Sequence, residues 1–153
     1  MTIVVWDGEV LATDAAATDG NAQWRTTKAW YHTCEEGQVI LSGAGPLQTI
    51  LQMRDWFQGG ALQNKFPNVQ LTPQFCHFLV VNSAGLRRYE QGFLPIAHGM
   101  EKCAFGDGKD FAYGALAMGA DAARAVEVAN ELSSHCGLGV KLYKLEEIRY
   151  EEK

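Results

Sequence analysis

The sequence predicts an α+β chain built on antiparallel sheets, and three observations carry that prediction. Strand-like and helix-like segments fall in blocks (strands, a helix, strands, two helices, a strand), where a doubly wound parallel sheet would alternate them. Turn signals between strand segments, Asp7-Gly8 and Asn82–Gly85, have the short lengths that join antiparallel neighbours. A clean apolar stripe at helical spacing (Ala122, Ala125, Val126, Ala129, Leu132) gives one helix a single face to lay on a sheet.

Taken in order, residues 2–7 and 9–14 read as a hairpin turned at Asp7-Gly8. The stretch "DAAATDGN", Asp14 to Asn21, is small and polar and reads as a loop cornered at Asp19-Gly20. "WRTTKAWYHT" is rich in β-branched and aromatic residues, and Gly37 leads from it into "QVILSGAG", a second strand pair. Pro46 suits the first position of a helix that runs to about Phe57 and stops at Gly59-Gly60. Leu47, Ile50 and Leu51 share one face of it. Met53 and Trp56 widen the apolar area beyond what one sheet contact needs, so the helix is expected to lie between layers or to carry a subunit interface.

Residues 61–75 hold two prolines and little periodicity, an irregular connection. "CHFLVVNSAGLRRYEQG" reads as strand, turn and returning strand, and "KCAFGDG" as a short strand entering a glycine-flanked turn. Helices follow at about Asp110–Met118 and Asp121–Ser134, then "VKLYKL" as a closing strand before the charged tail "EEIRYEEK". With neither an internal repeat nor a linker, residues 1–153 are expected to form one domain.

The 153 residues are 47% apolar and 20% charged, a globular balance. A net charge of −5, with Arg87-Arg88 as the longest basic run, argues against nucleic acid as a partner. No run approaches the roughly 18 apolar residues of a membrane span, and Asp7 and Glu9 replace the basic start of a signal peptide, so a cytoplasmic location is expected. Cys34, Cys76, Cys103 and Cys136 are widely spaced without a C-x-x-C pair, and are expected to be mostly buried thiols. His32, His77, His98 and His135 lack H-x-x-H spacing, and the turns "GAGPLQ" and "FGDGKDF" match no Walker or Rossmann pattern. Neither a cofactor nor a metal is expected.

The amino terminus carries the chemistry. Methionine is removed when a small residue follows, which here would give Thr2 a hydroxyl and a free α-amine together. An α-amine with a pKa of about 7.7–8.0 accepts the hydroxyl proton near neutral pH, so one residue supplies nucleophile and base. Anything ahead of Thr2 would block that base, and the apolar run Ile3–Val5 starts at once, as if the chain end were built into the fold.

"TIVVWDGEVLATDAAAT" resembles the opening of the threonine peptidases, the proteasome β subunits and bacterial HslV. In that family a threonine opens the first strand, an aspartate follows the second in a "small-x-D-x-x-x-T" context, and a lysine lies on the third. Thr2, Asp14 with Thr18, and Lys28 in "TTKAW" match. "VILSGAG", "AFGDGKDFAYGALAMGADAARAVEVANEL" and "CGLGVKLYKL" resemble the family's later segments in the same order, over about Thr2–Ala61 and Phe78–Leu145.

The resemblance implies the αββα sandwich of N-terminal nucleophile hydrolases. It implies Thr2 as nucleophile, Lys28 as the ammonium that favours alkoxide character, Asp14 as its partner, and an oxyanion hole from backbone N–H groups around Ser42 and Gly43. It further implies a homo-oligomeric ring, a hexamer or heptamer that stacks in pairs, unfolded polypeptide as substrate, and an ATP-dependent unfoldase as partner. Three positions depart from the family pattern. Asp107 stands where a serine assists the amine, and the carboxylate would either hold the α-ammonium charged or act as an extra base. Ser133 replaces an aspartate, and Cys136 a serine or threonine. These departures keep open a catalytically silent, ring-forming scaffold, and an amidase acting on a small molecule as a monomer is a third reading.

Overall fold

The computed structural model describes residues 3–19, 22–67, 77–90 and 92–145. Met1, Thr2, Gly20 and Asn21, residues 68–76, Gln91 and the tail from Glu146 lie outside the described residues.

The first hairpin pairs β1 (Ile3–Trp6) with β2 (Leu11–Asp14), Val4 opposite Thr13 and Trp6 opposite Leu11. Its turn is held by Asp7, whose Oδ1 accepts the Glu9 and Val10 N–H groups at 2.9 and 2.8 Å. The other oxygen of Asp7 accepts Ala122 N–H at 2.9 Å, so the same side chain ties the turn to the start of a helix 115 residues on.

The stretch Asp14–Asn21 is not a plain loop: Ala16–Asp19 forms β3, paired with β4 (Ala22–Arg25) from Ala16↔Arg25 to Asp19↔Ala22. Small residues carry little strand propensity, and it is the ladder to β4 that makes them a strand. "WRTTKAWYHT" is not one strand either. The chain leaves the ladder at Thr26–Lys28 and re-enters as β5 (Ala29–Cys34), because Thr26 N–H turns to Ala15 O at 2.9 Å and Lys28 turns inward.

β6 (Gly37–Ala44) pairs with β5 from Cys34↔Gly37 to Ala29↔Ser42, and α1 (Leu47–Gln58) follows. Within residues 61–67 there is a 3-10 turn at Gln63–Lys65. β7 (His77–Asn82) and β8 (Gly85–Tyr89) form the expected hairpin. An unexpected edge strand, β9 (Ile96–Gly99), pairs with β8 through a bulge at Leu86/Arg87. Then come β10 (Cys103–Gly106), α2 (Lys109–Ala117), α3 (Ala122–Leu132) and β11 (Val140–Tyr143).

The strands make one antiparallel sheet of order β10-β1-β2-β11 and another of order β5-β6-β7-β8-β9, besides the β3-β4 ribbon. Side chains of a strand alternate between faces, and β1 shows what this does here. Ile3 and Val5 pack under α2 and α3 with Ala112, Ala125, Val126 and Ala129. Val4 and Trp6 point the other way, into the layer between the sheets, against Ile40, Leu79 and Phe105. On the far side Val39, Leu41, Phe78 and Val80 meet α1. The result is the αββα four-layer sandwich.

The apolar excess on α1 is used within the chain. Ile50, Met53, Trp56 and Phe57 are its buried residues, while Leu47 and Leu51 are only half-buried. The Trp56 ring lies edge-on to Phe66, Tyr89 and Phe93 at 4.9, 5.6 and 6.1 Å, and its indole N–H donates to Leu62 O at 2.9 Å. Met53 and Trp56 therefore belong to the layer core, and leave that surface of α1 no apolar excess to explain. Among the described residues no helix is long and apolar enough to cross a membrane.

Candidate active site

The sandwich has one end where β1 begins, β2 and β10 finish, β5 starts and β6 closes, and the candidate residues gather there. Thr2, the candidate nucleophile, lies outside the described residues, but its neighbour does not. Ile3 N–H donates to Asp14 Oδ1 at 3.2 Å, and Ile3 pairs with Gly106 across the ladder.

Asp14 ends β2 and is fully buried. A buried carboxylate costs several kcal/mol unless donors surround it. Here Lys28 Nζ lies 2.6 Å from Oδ1, Ile3 N–H reaches the same oxygen, and Gly137 N–H reaches Oδ2 at 3.1 Å. The donors come from the start of β1, the break before β5 and the loop after α3, so one carboxylate knits three segments. Of these three donors among the described residues, two are backbone amides.

Lys28 is 7% exposed. Burial pushes its pKa down, opposed by pairing with Asp14 and further by the fields of Cys136 and Asp107. The net direction is down, so this ammonium gives up its proton more readily than a surface lysine. Its main chain is fixed too, since the buried Ser42 hydroxyl donates to Lys28 O at 2.7 Å.

Ser42 and Gly43 occupy the last part of β6, opposite Leu79 and Phe78. A Cβ at Gly43 would lie 2.8 Å from Ile50 Cγ1 and 2.9 Å from His77 O, so only glycine lets the strand pass between α1 and β7. Asp107 follows Gly106, whose φ of 110° needs glycine, and its side chain is exposed in the turn before α2. Gly108 is wedged in turn: a Cβ there would meet Ala129 Cβ at 2.9 Å and Cys136 Sγ at 3.0 Å.

The loop after α3 contributes more than residue matching indicated. Cys136 is buried, its thiol pushed up to about 11, first by burial and further by Asp14 and Asp107, against a hydrogen bond from Ser133 and the nearby Lys28. Gly137 supplies an amide to Asp14. Any residue but proline has that N–H, so its place in the site leaves no mark in the sequence. The Ser42 hydroxyl bond to Lys28 O is likewise invisible in the sequence, where the resemblance marks Ser42 only for its backbone N–H.

Among the described residues no group of three or more His, Cys, Asp or Glu side chains is arranged to hold a metal ion. Of the cysteines, Cys103 and Cys136 are buried, as expected of most of them, Cys34 is half-buried, and Cys76 lies outside the described residues.

No protein-family model matches the chain, and no curated protein does. Solved structures do. BPH from Thiobacillus denitrificans, including a form in complex with epoxomicin, superposes with a TM-score of 0.69 at 18% identity, covering 95% of this chain and 98% of that one. HslV from Trypanosoma brucei gives a TM-score of 0.66 at 15% identity, covering 95% and 99%. A Gly-1 mutant of Anbu from Hyphomicrobium sp. strain MC1 gives 0.72 at 11% identity, covering 94% and 82%. The likeness is one of fold: the architecture implied by the resemblance to HslV is the architecture the chain has.

Proposed function

We propose that the protein is a threonine-type peptidase subunit, with Thr2 as nucleophile once Met1 is removed. The observation that carries this reading is the Asp14–Lys28 pair, buried and held at 2.6 Å by a carboxylate that also binds the amide of the residue after Thr2. An ammonium fixed beside the chain start lowers the cost of charge on a hydroxyl there and disfavours a second ammonium on the neighbouring α-amine.

In the reaction the Thr2 hydroxyl adds to the scissile carbonyl as its proton passes to the α-amine. Backbone N–H groups around Ser42 and Gly43 take up the oxyanion, a contribution on the order of 10²–10³ in rate per donor. The protonated amine then gives its proton to the leaving amine, an ester of Thr2 remains, and water activated by the same amine resolves it. On this reading the chain works in the cytoplasm as one 1–153 domain of a homo-oligomeric ring, a hexamer or heptamer stacked in pairs, which admits unfolded polypeptide fed by an ATP-dependent unfoldase.

A second reading is favoured by one residue. Asp107 puts a carboxylate where the family pattern has a serine, and its field reaches Lys28. A ring-forming scaffold without turnover would tolerate that charge.

Intact mass with epoxomicin separates the two. The peptidase reading expects protein lacking Met1 that gains one epoxomicin mass, a gain lost in Thr2→Ala. Protein that keeps Met1 throughout and never labels supports the scaffold instead.

A further inference from the structure

A cavity of about 250 Å³ opens between the sheets at the same end of the sandwich. Two of its lining residues adjoin the candidate site: Gly106 pairs with Ile3 and precedes Asp107, and Ala44 follows Gly43. We propose that this cavity is a subsite for the carboxylate of an acidic side chain, Asp or Glu, on a bound peptide, an assignment that rests on the peptidase reading and supplies its substrate preference.

The lining explains the choice. Arg88 from β8 and Lys109 from the first turn of α2 supply two cations, and Asp110 is the one lining carboxylate, itself exposed. The start of α2 adds its own partial positive charge. Glu90 reaches Arg88 Nη1 and His77 Nε2 only at 3.3 and 3.5 Å, contacts too long to use the full donor fork of a guanidinium.

The walls also hold unspent hydrogen-bonding capacity. Among the described residues Arg88 Nε and His98 Nε2 are buried without a hydrogen-bond partner, a condition that marks places where native structures meet something further. His77 and His98 stand edge-on to Phe105 at 5.5 and 5.6 Å, framing the cavity. Both have pKa values pushed down, first by burial and then by Arg88, against the opposing fields of Glu90 on His77 and Glu101 on His98. The volume is below the range of about 300–1,000 Å³ typical of small-molecule sites, and suits one side chain.

The test uses the full chain and its Thr2→Ala variant, with the imidazole resonances of His77 and His98 followed by NMR. Acetylated, amidated tetrapeptides with a central Glu, Gln or Lys are titrated in, with glutarate as the free-acid arm. Expected are saturable shifts of both histidines with the Glu peptide in both proteins, binding weaker by about tenfold or more for Gln and Lys, and a comparable loss in Arg88→Gln. Lys109→Gln, at an exposed position, keeps the test alive if Arg88→Gln does not fold. Equal binding of the Gln peptide, preference for Lys, response to glutarate alone, indifference to both substitutions, or no shift would each overturn the assignment. None of these readouts needs Thr2 to react, so epoxomicin labelling judges the peptidase reading separately.

Discussion

Asp14 Oδ1 accepts both Lys28 Nζ, at 2.6 Å, and the backbone N–H of Ile3, at 3.2 Å. One oxygen thus fixes the direction in which the first strand starts and the place of a buried ammonium beside it. The second oxygen is held by Gly137, so the carboxylate has little freedom to let either partner move.

Breaking this pair should be asymmetric. Asp14→Asn leaves a desolvated ammonium without its carboxylate, and removing one partner of a buried pair costs about 3–5 kcal/mol. Lys28→Met should cost less, because Asp14 keeps the Ile3 and Gly137 amides. The double variant should be less damaged than the sum of the two. Denaturant unfolding of all three measures the order, and equal losses for the single variants would refute it.

How much of this was legible beforehand depends on the kind of bond. The β1–β2 hairpin, the stripe of α3 and the acidic and basic partners of the pair are properties of side chains, and side chains are what a sequence records. Strand β3 and the break at Thr26–Lys28 are not, because Ala16 and Ala17 become strand only through a partner ladder, and Lys28 leaves its ladder for a charge 14 residues back. Edge strand β9 went unread since "IAHG" is short, ends in glycine and pairs across a bulge. Met53 and Trp56 look excessive in the sequence only because Phe66 and Phe93, which join the same cluster and meet Trp56 edge-on, sit in irregular chain.

Gly43→Ala should destabilise the protein by about 1–3 kcal/mol, the usual cost of overpacking. The added methyl meets Ile50 on one side and the His77 carbonyl on the other. Measured in an Ile50→Ala background, where the γ carbons that the methyl meets are gone, the loss should be relieved in part and no more, since a backbone oxygen cannot be trimmed. Full restoration in thermal or denaturant unfolding would show that the strand gives way instead.

Two thiols should resist alkylation. Burial, helped by Glu101, pushes Cys103 up to about 12, and Cys136 stands at about 11. The thiolate is the reactive form, so in folded protein at pH 7.5 iodoacetamide should modify half-exposed Cys34 well before either. Peptide-level mass spectrometry over time reads the order, and early modification of Cys136 would mean that the loop after α3 opens.

Acid should weaken the fold through the histidines of the cavity. The pKa values of His77 and His98 lie below 6.5 in the folded protein, chiefly from burial. Between those values and 6.5 the unfolded chain binds more protons, so stability rises with pH across that window. The contribution is complete above 6.5 and is lost as pH falls toward the folded values. Unfolding free energies at pH 5 and pH 7.5 should therefore differ less in a His77→Gln, His98→Gln double variant than in the parent.

Asp107→Ser should change the pH dependence of turnover if the protein acts as proposed. The amine of Thr2 must be neutral to accept the hydroxyl proton, and a nearby carboxylate favours its charged form, raising its pKa. Removing the carboxylate lowers that pKa, so the base is available at lower pH and the acid limb of kcat/KM moves down. Rate at neutral pH should rise with it. The side chain is exposed and Gly106 and Gly108 keep the turn, so the fold should be little affected. An acid limb that stays in place while the rate falls would instead make Asp107 a base in its own right.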